Sequence, residues 1–525
     1  MPGQSQQTIP ALLAAAADRL GDDVAVIDGD TTLTYSQLLQ EARAFGAALV
    51  SNGLEPGDRV SIWMPNSARW IIAVLGIWQA SGVLVPINTR FKGGEAADIL
   101  MRSRAKVLVT VTDFLGTDYL AMLDATSADL SGVKHRVVAS GDAPEGASSW
   151  PDFIASGGEA AGAEVTRRSA ALSAADPSDI LFTSGTTGRA KGVVQTHGGT
   201  LQVAADWVAM TGLRAGDRYL MVNPYFHMFG LKAGILASIT AGATMYPEPV
   251  FDVDRVLSRV SSEQITVLPG APTIYQAILD HPDRATHDLS SLRVAVTGSA
   301  DIPVRLIERI YDELPFQVVV SGYGLTEAGT ASGTDPDDSP EAVATTVGRA
   351  RPGFEIRLIG HDGSEVDAGE AGEIVLRGPS VMSHYLDDPE STSASLSHDG
   401  WLRTGDIGTM DDAGLLRIVG RAKDMFIVGG FNAYPAEIEN LMLAHPAIHS
   451  VAVIGIPDER LGEVGMAFVV LDEDVPATPD ELIAWSRDHM ANYKTPRRVQ
   501  VIDALPLNAT GKVVKDHLRD LAADI

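Results

Sequence analysis

One stretch of the chain determines how the rest is interpreted: Thr183-Ser184-Gly185-Thr186-Thr187-Gly188-Arg189-Ala190-Lys191-Gly192. It joins three glycines and four hydroxyl side chains to one lysine, directly after the apolar pair Leu181-Phe182. A glycine-rich turn lets backbone N–H groups converge on a polyanion, while hydroxyls add donors and lysine adds a positive charge. The stretch is therefore typical of phosphate binding, although taken alone it also fits a flexible surface turn.

The position of the lysine separates this stretch from a Walker A loop. In the Walker A pattern, G-x-x-x-x-G-K-S/T, the lysine follows the last glycine. Here Lys191 precedes Gly192. The sequence therefore indicates a different kind of phosphate loop.

Composition limits the classes of protein to consider. A chain of 525 residues exceeds the roughly 250–300 residues at which single cores stop growing, so at least two domains are expected. The formal charge of −28 disfavours nucleic acid as a partner, because nucleic-acid binding needs a basic surface. The absence of cysteine excludes disulfides, zinc–thiolate sites and cysteine nucleophiles.

The sequence also bears on location. The apolar run Ala11 to Ala17 has no positive flank ahead of it, so no signal peptide is expected. No uncharged apolar stretch reaches the roughly 18 residues of a membrane span. We expect a cytoplasmic protein without stable membrane insertion, and a homodimer is compatible with the sequence.

Alternating helix and strand patterns predict an α/β fold. Thr34 and Gln37 form a capping box ahead of an amphipathic helix that Asn52-Gly53 ends. Apolar runs beyond it alternate with helical patterns, which favours βαβ units with largely parallel sheets. The predicted strands are residues 60–64, 83–87, 107–111, 137–138, 180–182, 219–222, 265–268, 292–296 and 318–320. The predicted helices are residues 199–210, 252–260, 272–279 and 303–314.

Three other segments depart from this alternation. Residues 145–164, rich in Gly, Ala and Ser, are expected to form an exposed connection. From about residue 346, short strands with turns predict a smaller sheet or barrel. We interpret the charged stretch 421–424 as a hinge between domains 1–420 and 425–525, an ordinary polar loop being the alternative.

Further polar motifs follow predicted strands. Tyr323 offers a flat face for a purine, Thr326 a hydroxyl for phosphate, and Glu327 an oxygen ligand for Mg²⁺. Asp406 is suited to accept hydrogen bonds from ribose hydroxyls, and Arg421 to donate to the same sugar or a phosphate. Each of these also fits an ordinary turn or surface residue, as does Lys512 on a glycine turn near the end of the chain.

Taken in order, these motifs resemble the adenylate-forming superfamily of acyl-CoA synthetases, luciferases and peptide-synthetase adenylation domains. The resemblance covers roughly residues 12–521 and includes the run Gly429-Gly430-Phe431-Asn432-Ala433-Tyr434-Pro435. It implies an α/β fold with a large N-terminal domain of two αβ layers and a small β-barrel. It also implies a small, mobile C-terminal α+β domain.

The resemblance implies a role for each matched residue. The segment Thr183, Ser184, Gly185, Thr186, Thr187, Gly188 and Lys191 would wrap the β- and γ-phosphates of ATP. Tyr323 with Gly298, Ser299 and Ala300 would border adenine, although Asp301 stands where relatives often carry proline. Thr326 would contact the α-phosphate, Glu327 would hold Mg²⁺, and Asp406 and Arg421 would hold ribose. Lys423 would be the hinge, Lys512 would reach the carboxylate and α-phosphate, and Gly429 and Gly430 would border coenzyme A.

The implied activity is ATP-dependent activation of a hydrophobic carboxylic acid through acyl-AMP to acyl-CoA. His227 lies in the segment that closes the acyl site in the superfamily, where it would gate or orient the carboxylate, a structural histidine being the alternative. Small residues at 270–273, 321–322 and 328–329 suggest a broad pocket. The chain most resembles actinobacterial ligases of fatty-acid and sterol breakdown, including those acting on an indanedione propanoate. A medium-chain fatty acid, a luciferase-like oxidation and loading of a carrier protein are the alternatives.

Overall fold

The structure is a computed structural model that describes residues 7–183, 190–298, 304–360, 362–429, 431–472, 475–507 and 513–523. Two large mixed sheets with parallel centres fill its first part, a small antiparallel sheet follows, and a separate sheet with helices completes the chain. Strands and helices alternate along the first part, as the sequence predicted. Of the helices in these ranges, none is long and apolar enough to cross a membrane.

The first sheet carries the strand that leads into the Thr183 segment, residues 183–192. Its centre is parallel, and antiparallel strands form the edge beside that segment. In spatial order the strands are His384–Tyr385, Lys191–Thr196, Pro177–Thr183, Val83–Pro86, Arg59–Trp63, Val107–Val111, His135–Ser140 and Ser148–Ser149.

The second sheet carries the Tyr323 motif. It is parallel at its centre and antiparallel at both edges. In spatial order the strands are Arg349–Ala350, Gly329–Gly333, Val318–Leu325, Val294–Gly298, Val267–Gly270, Arg218–Met221, Thr244–Pro247, Val24–Asp28 and Thr31–Thr34.

Helices cover the two large sheets. The predicted capping box is confirmed, because the Thr34 side chain accepts from Gln37 N–H and the Gln37 side chain accepts from Thr34 N–H. The α-helices are Ile9–Leu20, Tyr35–Ser51, Ala68–Gln79, Gly93–Ser103, Tyr119–Asp124, Trp150–Ala155, Glu159–Ala171, His197–Thr211, Met228–Gly230, Ala237–Ala241, Val253–Glu263, Pro272–Leu279, Val304–Glu313, Pro340–Thr345 and Pro389–Ser395. A π-helix spans Leu231–Leu236 and a 3₁₀ helix spans Arg284–Thr286.

The expectation of an exposed connection over residues 145–164 is only partly right, because half of these residues are exposed but the segment is largely helical. Two of the helices above occupy most of it. The Trp150 ring stacks on Phe45 with centroids 4.9 Å apart, and Phe153 packs against the same ring at 5.5 Å. Burial of these two aromatic side chains therefore anchors a segment whose average composition is that of a loop.

The last two sheets are smaller. The predicted smaller sheet is antiparallel, with strands in the order Glu355–Ile359, Gly372–Arg377, Leu402–Met410 and Leu416–Arg421. The C-terminal sheet comprises Phe431–Ala433, Phe426–Val428, Gly462–Leu471, Ile448–Asp458 and Arg498–Val501. Helices Pro435–Met442, Pro479–His489 and Lys515–Ala523 accompany it. Its apolar side chains form a cluster of their own, within residues 426–518.

Candidate functional site

A cleft of about 2520 Å³ brings the sequence motifs together. Parallel strands of both large sheets end at this cleft, and in α/β folds ligands bind beyond the carboxyl ends of strands. Residues of the small antiparallel sheet and of the C-terminal domain complete its walls. The predicted site residues that line it are Thr183, Lys191, His227, Gly298, Tyr323, Thr326, Glu327, Asp406, Arg421 and Lys423.

The two antiparallel strands on either side of the Thr183 segment reach the cleft at Thr183 and Lys191. Thr183, the last residue of one strand, pairs with Lys191, the first residue of the next. The Lys191 ammonium lies 4.9 Å from the centroid of the Tyr385 ring, a cation–π contact. The predicted phosphate-binding residues Ser184, Gly185, Thr186, Thr187 and Gly188 lie outside the described residues, so their role stays a prediction.

A tight hairpin presents Thr326 and Glu327 to the cleft. Strand Val318–Leu325 turns directly into strand Gly329–Gly333. A Cβ atom at Gly324 would lie 2.1 Å from the carbonyl oxygen of Gly329, and Gly329 itself has φ of +73°. Both positions therefore require glycine, and together they fix the turn that carries the two side chains.

The Glu327 side chain is held by a tyrosine that the sequence analysis missed. The Tyr385 hydroxyl donates to Glu327 Oε1 at 2.9 Å. Burial, and then the Glu327 carboxylate, raise the pKa of Tyr385, so the phenol is a neutral donor at ordinary pH. The backbone is tied as well, because Met382 N–H donates to the Glu327 carbonyl oxygen at 2.6 Å.

Glu327 suits a magnesium ion. Across the residues with assigned positions, no group of three or more His, Cys, Asp or Glu side chains is placed to hold a metal. Mg²⁺ does not need such a group, because it usually binds one or two carboxylates together with substrate phosphates and water. Glu327 lines the cleft, and among the described residues the hydrogen bond from Tyr385 uses only one of its two oxygens. The residues present therefore fit the metal.

The second carboxylate, Asp406, lies beside Tyr323 of the strand that leads into the hairpin. Its Oδ2 accepts from the Tyr323 hydroxyl at 2.6 Å, and its Oδ1 pairs with Arg421 Nε at 2.9 Å. The pairing of adjacent strands places Asp406 directly opposite Arg421. Burial, and then Asp406, raise the pKa of Tyr323 well above its ordinary value. The sequence thus predicted these three residues but not the network that joins them.

His227 is the N-cap of the short helix Met228–Gly230. Its Nδ1 accepts a hydrogen bond from Phe229 N–H at 3.2 Å. It is half-buried and lines the cleft. The Phe229 ring packs edge-on against Trp207 at 5.1 Å, so aromatic side chains form the adjoining wall. Capping gives His227 a structural role, and its position on the cleft leaves the predicted substrate contact open.

A buried ion pair joins the His227 region to the Thr183 strand. Lys232 Nζ lies 3.1 Å from Asp179 Oδ1, and both side chains are almost completely buried. Ser178 and Thr200 hydroxyls donate to Asp179 Oδ2 at 2.6 and 2.9 Å. Burial lowers the pKa of Lys232, against the opposing effect of Asp179. Lys232 lies in the π-helix that directly follows Gly230, and π-helices occur often at functional sites.

Only some of the small residues predicted to line a broad acyl pocket lie on the cleft, and the breadth of that pocket stays a prediction. Ala271, Pro272, Thr273 and Gly322 line the cleft. Of the other small residues, Gly329 is buried against Val203, to which an added Cβ would come within 2.2 Å. The predicted lining of residues 328–329 is therefore wrong, because helix His197–Thr211 covers this part of the hairpin.

Of the remaining predicted site residues, the structure describes Gly298 and Gly429. Gly298 ends its strand in register with Gly322. Gly429 has φ of +58° in the C-terminal domain. Ser299, Ala300, Gly430 and Lys512 lie outside the described residues, and their roles stay predictions.

Sequence comparison identifies the protein's relatives. The AMP-binding enzyme family matches residues 13–386, and the C-terminal domain of AMP-binding enzymes matches residues 437–512. Two relatives are 48% identical over 98% of this chain: the 3-(7a-methyl-1,5-dioxo-octahydro-1H-inden-4-yl)propanoyl:CoA ligases of Rhodococcus jostii and Mycobacterium tuberculosis. The matches cover 98% and 99% of those relatives.

A solved structure agrees over the whole chain. The anthranilate CoA ligase AuaEII in complex with anthranoyl-AMP has a TM-score of 0.89 and 29% identity, and covers 100% of this chain and 99% of its own. The fold and the site thus define a ligase that activates carboxylic acids with a nucleotide.

The chain belongs to the AMP-binding enzyme family, that is, to the adenylate-forming superfamily that the motifs indicated. It is an AMP-forming acyl-CoA synthetase, an acid–thiol ligase whose substrates include ATP and coenzyme A.

Proposed function

We propose that the acid activated by this enzyme is a fused-ring carboxylic acid carrying a propanoate arm, of the indanedione type. The observation that carries the proposal is the 48% identity, over nearly the whole of both chains, to two ligases named for that acid. The structurally similar anthranilate ligase, named for a different acid, is only 29% identical.

The lining of the cleft is compatible with the proposal. Trp207 and Phe229 pack against each other on one wall, and the small residues Ala233 and Ala271 also line the cleft. Aromatic side chains beside small residues can contact the apolar faces of a fused ring.

In the proposed reaction the acid's carboxylate oxygen attacks the α-phosphorus of ATP. The new O–P bond forms as the bond to pyrophosphate breaks, which leaves acyl-AMP. The coenzyme A thiol then attacks the acyl carbon and loses its proton, and AMP leaves as the thioester forms. No general base is needed in the first step, since a carboxyl of ordinary pKa near 4 is already ionised. Catalysis is therefore mainly positioning and charge neutralisation.

We assign the nucleotide contacts from the resemblance to the superfamily and, for the described residues, from their position on the cleft. Thr183, Lys191 and the segment between them would hold the β- and γ-phosphates, and Thr326 the α-phosphate. Glu327 would hold Mg²⁺, which neutralises phosphate charge when bound. Tyr323 and Gly298 would border adenine, while Asp406 and Arg421 would hold ribose. His227 would orient the carboxylate and Lys512 would neutralise charge at the reacting phosphate.

We also propose that residues 421–424 are a hinge between domains 1–420 and 425–525. Strand Leu416–Arg421 ends at this point, and turn residues precede the next strand, Phe426–Val428. The separate apolar cluster of the C-terminal domain would let it turn as a unit. Gly429 and Gly430 would then border coenzyme A in the second step.

A coenzyme A consumption screen tests the proposed substrate. We expect kcat/KM for a bicyclic indanedione propanoate to exceed that for anthranilate and octanoate by at least about tenfold, because shape mismatch costs roughly 1–3 kcal/mol per misplaced group. The screen needs the full chain, ATP and Mg²⁺. An equal or higher kcat/KM with octanoate would contradict the proposal and favour a medium-chain fatty acid.

A further inference from the structure

The two-residue strand His384–Tyr385 lies between strand Lys191–Thr196 and the hairpin that carries Glu327. Tyr385 pairs with Val193, and Leu386 N–H donates to the Gly192 carbonyl oxygen at 2.7 Å. These contacts join Tyr385 and Leu386 to strand Lys191–Thr196. Two residues before strand His384–Tyr385, Met382 is bonded to the backbone of Glu327.

The Tyr385 side chain contacts both Glu327 and Lys191. Its hydroxyl donates to Glu327 Oε1 at 2.9 Å, and its ring lies 4.9 Å from the Lys191 ammonium. Tyr385 is only 6% exposed and lines the cleft. A buried aromatic side chain has few rotamers, so these contacts fix the distance between the carboxylate and the cation.

We propose that Tyr385 is a positioning residue for the adenylation step. Its hydroxyl orients Glu327 toward the metal ion, and its ring holds the Lys191 ammonium at the cleft. The inference rests on the proposed role of Glu327 as the Mg²⁺ ligand. Hydrogen bonds to ligating carboxylates have this effect in metal sites, and losing them typically lowers metal affinity about 10- to 100-fold.

Two substitutions separate the two contacts. Tyr385→Phe removes the hydroxyl but keeps the ring beneath Lys191. Tyr385→Leu removes both. Tyr311→Phe is a matched control, since the half-buried Tyr311 donates to the Val319 carbonyl oxygen at 3.3 Å and does not line the cleft.

The test is direct binding of Mn²⁺, a probe for Mg²⁺, to the full-length protein with α,β-methylene-ATP, followed by electron paramagnetic resonance. We expect Tyr385→Phe to weaken Mn²⁺ binding about tenfold while leaving metal-free binding of the analogue unchanged. Tyr385→Leu should weaken both, and Tyr311→Phe neither. Thermal unfolding without ligands establishes that each variant is folded.

A double-mutant cycle with Glu327→Gln distinguishes the possible failures. If Glu327→Gln leaves Mn²⁺ binding unchanged, the proposed metal role of Glu327 is wrong. If Glu327→Gln weakens Mn²⁺ binding and Tyr385→Phe does not, the inference about Tyr385 alone is overturned. We expect Tyr385→Phe to have no further effect in the Glu327→Gln background, because the hydroxyl acts through that carboxylate.

Discussion

Two carboxylates line the cleft near the hairpin, Glu327 in its turn and Asp406 beside its first strand, and each accepts a hydrogen bond from a tyrosine hydroxyl. Tyr385 donates to Glu327 at 2.9 Å, and Tyr323 donates to Asp406 at 2.6 Å. They differ in charge pairing. Asp406 is paired with Arg421, whereas in the part of the chain that the structure describes Glu327 has no ion-pair partner.

This difference suits the two carboxylates to different ligands. A carboxylate already neutralised by arginine still accepts hydrogen bonds from neutral groups, such as sugar hydroxyls, but attracts a cation weakly. A carboxylate that accepts from a neutral phenol and has no cation beside it among the described residues is better suited to an external cation. We therefore expect Glu327 to control metal dependence and Asp406 to control nucleotide affinity.

The largest expected effect is that of Glu327→Gln. The amide keeps the shape and accepts the Tyr385 hydrogen bond, but it loses the charge that would bind the metal. We expect carboxylate-dependent ATP–pyrophosphate exchange to fall about 100-fold or more at fixed Mg²⁺. Exchange rates measured across a Mg²⁺ series check this, and a rate equal to that of the unmodified enzyme would remove Glu327 from the step.

Asp406→Asn should mainly weaken nucleotide binding. Replacing the carboxylate leaves Arg421 without its charged partner and converts a strong acceptor into a weaker one. We expect KM for ATP to rise about 10- to 100-fold, since hydrogen bonds to charged groups contribute roughly 1.5–3 kcal/mol. Steady-state kinetics measures this, with the exposed Asp412→Asn as control. A change in kcat alone would contradict a role in nucleotide affinity.

Tyr323→Phe should have a smaller effect of the same kind. The Tyr323 hydroxyl affects ATP only through Asp406, so we expect an indirect effect of roughly 0.5–1.5 kcal/mol, a rise of about threefold to tenfold in KM for ATP. The Mg²⁺ dependence of the rate should not change. A Tyr323 variant that altered Mg²⁺ dependence as Tyr385→Phe is expected to do would show that the two pairs do not act separately.

The smallest effect concerns pH. Burial raises the pKa of Tyr323 and of Tyr385 above the unfolded value of about 10, so both phenols stay neutral donors between pH 7 and about 9. The raised pKa stabilises the fold fully below pH ~10, and this contribution is lost as pH rises further. Thermal unfolding of the enzyme and of Tyr385→Phe should differ by a constant amount up to about pH 10 and converge above it. Convergence near pH 8 would contradict neutral, buried phenols.

Sequence patterns predicted elements whose cause is local. Strand Val107–Val111 and helix Pro272–Leu279 have the predicted bounds, because a buried apolar run and an initial proline specify them directly. The helix at residues 150–155 was missed because two aromatic anchors lie within a loop-like composition.

Site residues were predictable where a motif carries them along one stretch of chain. Tyr385 was not, because its role depends on pairing between strands that are distant in sequence. The same holds for Gln195, whose amide donates to the carbonyl oxygens of Thr326 and Ser380 at 3.2 Å. Such contacts arise from tertiary packing and leave no local pattern.

The most direct test of the division between the two carboxylates is the effect of Mg²⁺ on nucleotide affinity. Isothermal titration with α,β-methylene-ATP, with and without Mg²⁺, gives the ratio of the two dissociation constants for each variant. We expect this ratio to fall close to one in Glu327→Gln and to keep its unmodified value in Asp406→Asn, although Asp406→Asn binds the analogue more weakly under both conditions. A ratio preserved in Glu327→Gln, or lost equally in both variants, would contradict the account.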